Sequence, residues 1–280
     1  MRDKVCVITG GNSGIGRAMA EQIGALGGHV VLVCRNPERG REALADLHRK
    51  TGSDRFELLV ADLSVRDQIQ RAAQEIRLRH PTVHALINNA GVYLPRRLVT
   101  SDGLETMFAT NHLAPFLLTR GLIDALQAAA PGRVITVSSE GHRMGEIDLG
   151  DLQAARKFRA LKQYCSTKLA NILFTRELSR RFDGRGIIAN AFHPGGVRTG
   201  FAQDEPGVFG LMVRLVSPFL RTPEKAARTG TFLASSEDGA RTTGAYFVDS
   251  RPKRPAPAAL RDDLSTGLWE ATAALAGVPA

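Results

Sequence analysis

A doubly wound α/β architecture, with a parallel sheet covered by helices on both faces, is the fold class this 280-residue sequence predicts. Three observations predict it. Short β-branched apolar runs recur along the chain, and longer amphipathic stretches separate them. The short runs are mostly apolar rather than strictly alternating, as expected of strands buried on both faces.

The strands are expected at 4–8 (KVCVI), 29–34 (HVVLVC), 56–60 (FELLV), 84–88 (HALIN), 133–138 (RVITVS), 186–192 (GIIANAF) and 245–249, about seven in all. Between the first two, residues 14–27 place Ile15, Met19, Ile23 and Leu26 on one helical face. Asn36 followed by Pro37 reads as an N-cap and first helical residue for 37–50. Ser64 with Asp67 predicts a capping box opening 64–79, and Thr222-Pro223 opens 223–235. A long helix is expected at 160–183, and a last one carries Leu268-Trp269 after a Pro-rich basic turn at 251–257.

No linker, repeat or low-complexity tract divides the chain, so residues 1–280 are expected to form one domain. One connection stands out. Residues 199–221 are long and unusually apolar for a link between a strand and a helix, which suggests a substrate lid. A peripheral membrane patch is the second reading of that segment and ordinary core the third.

Composition narrows the function classes. Hydrophobic residues make up 43% and charged residues 23%, which excludes general disorder. Three scattered cysteines (Cys6, Cys34, Cys165) exclude a disulfide scaffold and a zinc ribbon, and fit a reducing, cytoplasmic setting. No apolar run approaches about 18 residues, so no membrane span is expected. The opening MRDKVCVITGG runs directly into a strand pattern, so no signal peptide is expected either. The net charge is +9, with 30 arginines among the 37 basic residues, yet they are dispersed beside acids. A solvated surface explains this better than a nucleic-acid partner, and none is expected.

The chemistry-bearing residues fall at strand ends. Gly10, Asn12, Ser13, Gly14, Ile15 and Gly16 follow the first strand and open the first helix. Glycines there let the backbone approach a pyrophosphate, and the helix N-terminus offers N–H donors. An acid at the end of the second strand would bind a ribose 2′-hydroxyl, but this chain has Arg35-Asn36. An arginine fork suits a 2′-phosphate, which favours NADP(H) over NAD(H). Arg17 is a weaker candidate for the same task. Asp62 and Leu63 follow the third strand and are placed to meet an adenine; a plain turn role for Asp62 is the alternative. Asn89, Ala90 and Gly91 follow the fourth strand.

Tyr164 and Lys168 share a helix face at i, i+4, where the lysine cation favours the phenolate. Ser138 and Ser139 end the fifth strand, where a hydroxyl can hold a substrate oxygen, and Asn111 could anchor a water behind Lys168. His80, His84, His112, His142 and His193 lack metal-ligand spacing, and no metal is expected. His142 and Met144 are candidates for the substrate border.

The segments TGGNSGIG, NNAG, Asn111, VSS, YCSTK and HPGGVRT, in this order, resemble the short-chain dehydrogenase/reductase family over essentially the whole chain. The resemblance implies a Rossmann-type sheet and hydride transfer between NAD(P)(H) and a carbonyl/alcohol pair. It implies Tyr164 as general acid/base, Lys168 lowering its pKa and holding the nicotinamide ribose, Ser139 positioning the substrate oxygen and Asn111 completing the set. Pro194, Gly195, Val197 and Thr199 would line the nicotinamide carboxamide. CRNPERG, TNHLAPFLLT, VSSEGHRMG, YCSTKLANILFTREL and TPEKAA are similar to the retinol-dehydrogenase-like branch, which implies NADP(H) and lipophilic aldehydes or alcohols. Many members of that branch begin with a membrane anchor, which is not expected in this sequence, so a lipophilic substrate other than a retinoid is expected at least equally. A homodimer or homotetramer is implied too, with Leu169, Leu173 and Phe174 giving the Tyr164 helix apolar residues beyond one stripe. Two other functions stand beside a lipophilic carbonyl reductase: a natural-product tailoring ketoreductase, and a catalytically silent dinucleotide-binding regulator.

Overall fold

A computed structural model describes residues 1–196 and 221–280. Its sheet contains β1 (Val5–Thr9), β2 (His29–Cys34), β3 (Phe56–Val60), β4 (Ala85–Asn88), β5 (Gly132–Val137), β6 (Ile187–His193), β7 (Tyr246–Val248) and β8 (Arg251–Pro252). The spatial order is β3-β2-β1-β4-β5-β6-β7-β8, parallel throughout except for the antiparallel β7–β8 pair. The helices are α1 (Gly14–Ala25), α2 (Pro37–Thr51), α3 (Arg66–Arg79), α4 (106–121, with a π-helical stretch at Ala109–Leu113), α5 (Ile123–Gln127), α6 (Ala160–Arg181), α7 (Pro223–Ser235) and α8 (Asp262–Ala276).

The strand runs are predominantly apolar because each face meets helices. Val7, Val31, Val33, Leu86 and Val134 pack with residues of α3, α4 and α6, including Ile69, Phe116 and Phe174. Their strand neighbours Ile8, Leu32, Ile87 and Ile135 pack on the other face with Met19 and Ile23 of α1 and Leu233 of α7. The period of two along each strand feeds two separate cores. Trp269 of α8 closes one core, edge-on to Phe116 at 4.8 Å and stacked on Phe174 at 5.9 Å. Aromatic pairs of this kind contribute about 0.5–1.5 kcal/mol each beyond burial.

Three expectations change. The sheet has eight strands, because Arg251–Pro252, read as turn, pairs back on β7 through Val248 and Phe247. A proline is tolerated there because β8 is an edge strand. The Ser64/Asp67 capping box does not form: Val65 is the N-cap of α3 and makes no side-chain bond. Asp62 Oδ1 accepts from the Ser64 hydroxyl at 2.7 Å, and Asp102 Oδ2 accepts from Arg66 N–H at 2.7 Å, capping the helix from 36 residues away. Leu169, Leu173 and Phe174 leave no extra apolar face on α6, since all three are buried in the chain's own cores. The Asn36 cap forms as expected, accepting from Arg39 N–H at 2.8 Å, and so does Thr222, accepting from Lys225 N–H at 3.4 Å. Val197, Thr199 and the lid segment up to residue 220 lie outside the described residues; the last lid residue, Arg221, is described.

Candidate functional site

Strand order reverses between β1 and β4, so a crevice opens at the carboxyl ends of those strands, where folds of this kind bind ligands. The glycine segment turns there. Gly10 sits at φ 64°, a left-handed conformation that L side chains resist. A Cβ on Gly16 would stand 2.3 Å from the Gly10 carbonyl oxygen and 2.5 Å from Asn89 Nδ2, so only glycine fits. Asn12 and Ser13 form the outer rim of the turn, and Gly14 and Ile15 begin α1. Ser13, the N-cap, makes no side-chain bond, and the first turn of α1 holds no acid. That leaves the helix N-terminus open to an anion, which fits the pyrophosphate of a dinucleotide.

Asn89 fixes this turn from the neighbouring strand. Its amide donates to the Thr9 carbonyl at 2.8 Å and the Gly10 carbonyl at 3.4 Å. Thr9 Oγ1 in turn accepts from Asn89 N–H at 2.9 Å and Ala90 N–H at 3.0 Å. Asn89 therefore positions the loop, and Thr9 is a contributor the sequence reading missed. Arg35 ends β2 with its side chain 73% exposed and its guanidinium 3.9 Å from Asp62 Oδ2. Asp62 also holds Ser64, so its turn role is real. Asn36 is engaged as the α2 cap, and the Leu63 side chain is buried in the core. Arg17 pairs with Asp46.

The polar groups of the other half come from β4, β5, α4 and α6. Ser139 is the N-cap of the turn Glu140–Met144, and its Oγ accepts from Gly141 N–H at 3.1 Å. Tyr164 is hydrogen-bonded to Ser139, and the Tyr93 ring meets it edge-on at 5.9 Å. Lys168 is buried, with Nζ 5.5 Å from the centroid of the Tyr164 ring and donating to Val137 O at 3.4 Å. Burial pushes its pKa down to about 8. Burial also pushes the Tyr164 phenol well above its ordinary range, with the Ser139 bond acting the other way.

Asn111 lies in the π-helical stretch of α4, an irregularity frequent at functional sites. Its Oδ1 accepts from Val92 N–H at 2.7 Å, and its Nδ2 donates to Val92 O at 2.9 Å and Thr167 Oγ1 at 3.2 Å. Gly91 sits close by: a Cβ there would be 3.3 Å from Lys168 Nζ. Supporting groups the sequence reading missed are Thr167, which donates to Tyr164 O at 2.7 Å, and Asn171, which donates to Val137 O at 3.1 Å. Ser138, expected with Ser139 at the strand end, instead turns its hydroxyl to the Lys168 carbonyl oxygen, donating at 2.8 Å. The only sequence signal of Thr167 and Asn171 is polar type on a buried helix face.

Both ring nitrogens of His142 are engaged behind Ser139. His142 is buried, donating from Nδ1 to Ser139 O at 2.7 Å and accepting at Nε2 from Ala256 N–H at 3.0 Å. Met144 is 61% exposed. Pro194 and Gly195 follow β6 at the same sheet edge, with Arg221 against Gly195. A cavity of about 530 Å³ lies beside α6, lined by Gln163, Ser166, Thr167 and Ala170 rather than by Tyr164 or Lys168.

An open helix N-terminus in a glycine turn, joined to half-buried Tyr164 and Ser139 and buried Lys168 on one parallel-sheet edge, defines a dinucleotide-dependent oxidoreductase class of site. Residues 4–206 match the short chain dehydrogenase family, and the chain belongs to that family. It is 38% identical to human retinol dehydrogenase 13 over 99% of this chain and 86% of that protein. Human retinol dehydrogenase 12 is 36% identical over 98% of this chain and 87% of its own length. A crystal structure from Mycobacterium paratuberculosis superposes with a TM-score of 0.80 at 26% identity, covering 99% of this chain and 94% of that one. L-sorbose reductase from Gluconobacter frateurii, complexed with NADPH and L-sorbose, shares the fold with a TM-score of 0.72 at 24% identity, covering 88% of this chain and 95% of its own. The protein is thus an oxidoreductase of the alcohol/carbonyl class that uses a nicotinamide dinucleotide. Among the described residues, no helix is long and apolar enough to cross a membrane.

Proposed function

We propose that the protein moves a hydride between NADP(H) and the carbonyl or alcohol carbon of a lipophilic small molecule, with Tyr164 as general acid/base. The observation that carries this reading is the buried Lys168 ammonium and the Ser139 hydroxyl converging on Tyr164 beside the open N-terminus of α1. When bound, the nicotinamide supplies or accepts the hydride. In the reductive direction Tyr164 gives its phenolic proton to the carbonyl oxygen as the carbon gains the hydride, so the product alcohol has gained one hydride and one proton. Ser139 positions that oxygen. Burial keeps the Tyr164 proton in place until it is needed; the Lys168 ammonium, 5.5 Å from the centroid of the Tyr164 ring, is the cation that would favour the phenolate that remains.

Asn111 holds the Val92 backbone against Thr167 and so fixes the wall beside Lys168. Arg35, exposed at the end of β2, suits the 2′-phosphate that separates NADP(H) from NAD(H). Pro194, Gly195, Val197 and Thr199 belong to this reading as the nicotinamide carboxamide contacts. The lipophilic substrate is supported by the retinol dehydrogenases among its relatives. The test is oxidation of NADPH, with NADH in parallel, against aldehydes and ketones of increasing chain length. Turnover with NADPH that rises with chain length supports the reading. Preference for NADH, or for short polar carbonyls, overturns the corresponding part.

A further inference from the structure

The sheet edge opposite the site carries a cluster that the reaction does not use. β2 begins at His29, β3 places Glu57 on the adjoining strand, and α3 ends at His80, its C-cap. The Nε2 atoms of both imidazoles meet one carboxylate. His29 Nε2 lies 2.6 Å from Glu57 Oε1, and His80 Nε2 lies 3.2 Å from Glu57 Oε2. The ring centroids are 5.0 Å apart, and one ligand atom from each of the three residues lies within 4.8 Å of the others. Two imidazole nitrogens with a carboxylate oxygen form a donor set for a first-row transition ion or Zn²⁺, rather than for Mg²⁺ or Ca²⁺.

We propose that His29, Glu57 and His80 bind a zinc-class divalent cation that clamps β2, β3 and the end of α3 together. Metal–ligand bonds of about 2.0–2.1 Å set tetrahedral ligand atoms about 3.3 Å apart. His80 Nε2 stands 3.2 Å from Glu57 Oε2 and His29 Nε2 2.6 Å from Oε1, each within about 1 Å of that spacing, and the ligand atoms of the two imidazoles, within 4.8 Å of each other, need to close by at most about 1.5 Å. The side chains of His29, Glu57 and His80 are 27%, 30% and 13% exposed, so water can reach the fourth position. His80 is held for the task by its own backbone, whose N–H donates to Ile76 O at 2.7 Å. Among the described residues the opposing charge in contact is Arg79, 3.7 Å from Glu57 Oε2, and Arg79 also pairs with Glu75, which retains it once the cation takes Glu57. The clamp has a consequence at the other edge: β2 leads directly to Arg35, and β3 ends one residue before the Ala61-Asp62 pair.

The test uses the full chain without a polyhistidine tag, stripped with chelator and titrated with ZnCl₂ by calorimetry and with CoCl₂ by visible absorption at pH 7.5. One equivalent should bind with a dissociation constant in the micromolar range or below. The cobalt form should show the intense bands of four-coordinate geometry. His29→Ala and His80→Ala should each weaken binding at least ~10-fold, as expected for loss of a ligand, whereas His84→Asn, outside the cluster, should not. Absence of saturable binding by the unaltered protein overturns the site, as does a site that survives His29→Ala/His80→Ala. Neither outcome depends on turnover, so this proposal can fail while the oxidoreductase reading stands.

Discussion

The first three strands and the next three present different materials at the same sheet edge. Beyond β1, what faces a ligand is backbone: a turn through Gly10, a passage too tight for any side chain at Gly16, and the uncapped N–H groups of α1. Beyond β4 and β5, what faces a ligand is a set of side chains held in place by others: Lys168 by Val137 O, Asn111 by Val92 and Thr167, and Ser139 by its turn. The difference follows from the tasks. A pyrophosphate carries its charge permanently and needs only donors at a fixed distance. The proton transfer proposed for the other half needs groups whose ionisation is set by their surroundings, and burial raises the Tyr164 pKa and lowers that of Lys168.

The sharpest way to separate the halves is Tyr164→Phe. It keeps the ring and its edge contact with Tyr93 but removes the hydroxyl bonded to Ser139. Turnover should fall at least ~10²-fold while NADPH affinity, measured by quenching of nucleotide fluorescence, changes little. Retained turnover would place the proton donor elsewhere. The converse substitution is Arg35→Asp. It should weaken NADPH binding by about 2–3 kcal/mol, the size of a charged hydrogen bond lost plus repulsion gained, and leave NADH turnover nearly unchanged. An unaltered NADPH/NADH ratio would make Arg35 a surface residue paired only with Asp62.

This contrast also decides what could be read from the chain beforehand. The backbone half is written as one contiguous string from Gly10 to Gly16, so its position, its strand–turn–helix setting and its glycine requirement were all legible. The strands were legible too, because burial on both faces leaves a predominantly apolar run. The side-chain half was legible only at Tyr164, Lys168, Ser139 and Asn111, where motif and resemblance marked residues. Their supports were not, since Thr167 reaches Asn111 across 56 residues and Ala256 reaches His142 across 114. The cap of α3 failed for the same reason: Asp102 arrives from another part of the chain and leaves no local signature.

A smaller effect probes the backbone half by itself. Gly16→Ala puts a methyl group 2.3 Å from the Gly10 carbonyl and 2.5 Å from Asn89 Nδ2. Forcing the turn open should cost about 1–3 kcal/mol, appearing as weaker NADPH binding and a lower thermal midpoint, while kcat at saturating NADPH stays close to the parent value. A collapse of kcat with binding intact would mean that the glycine turn and the Tyr164 group are one mechanical unit, and the division into halves would fail.

The smallest expected effect tests whether the chemical half is held from behind. His142 joins the Ser139 backbone to Ala256, and the two ring nitrogens do different work. His142→Asn keeps an amide donor near the Nδ1 position and loses the acceptor for Ala256; His142→Gln keeps a group near Nε2 and loses the donor to Ser139. A buried hydrogen bond of about 1 kcal/mol corresponds to roughly fivefold in rate. His142→Gln should therefore lower kcat about fivefold with KM for NADPH unchanged, and His142→Asn should lower the thermal midpoint with kcat nearly intact. Acid sharpens the assignment. Burial holds the His142 pKa below its ordinary value, in a setting that also contains Glu140, Arg143, Tyr246 and His193. A lowered pKa means that the stability this histidine contributes is complete above about pH 6.5 and is lost as the pH falls through the folded-state value. Protonation there would set a donor at Nε2 against the Ala256 N–H. The fall in thermal midpoint below pH 6.5 should accordingly be shallower in both variants than in the parent protein. Equal kcat losses in Asn and Gln, with parallel acid profiles, would reduce His142 to ordinary packing.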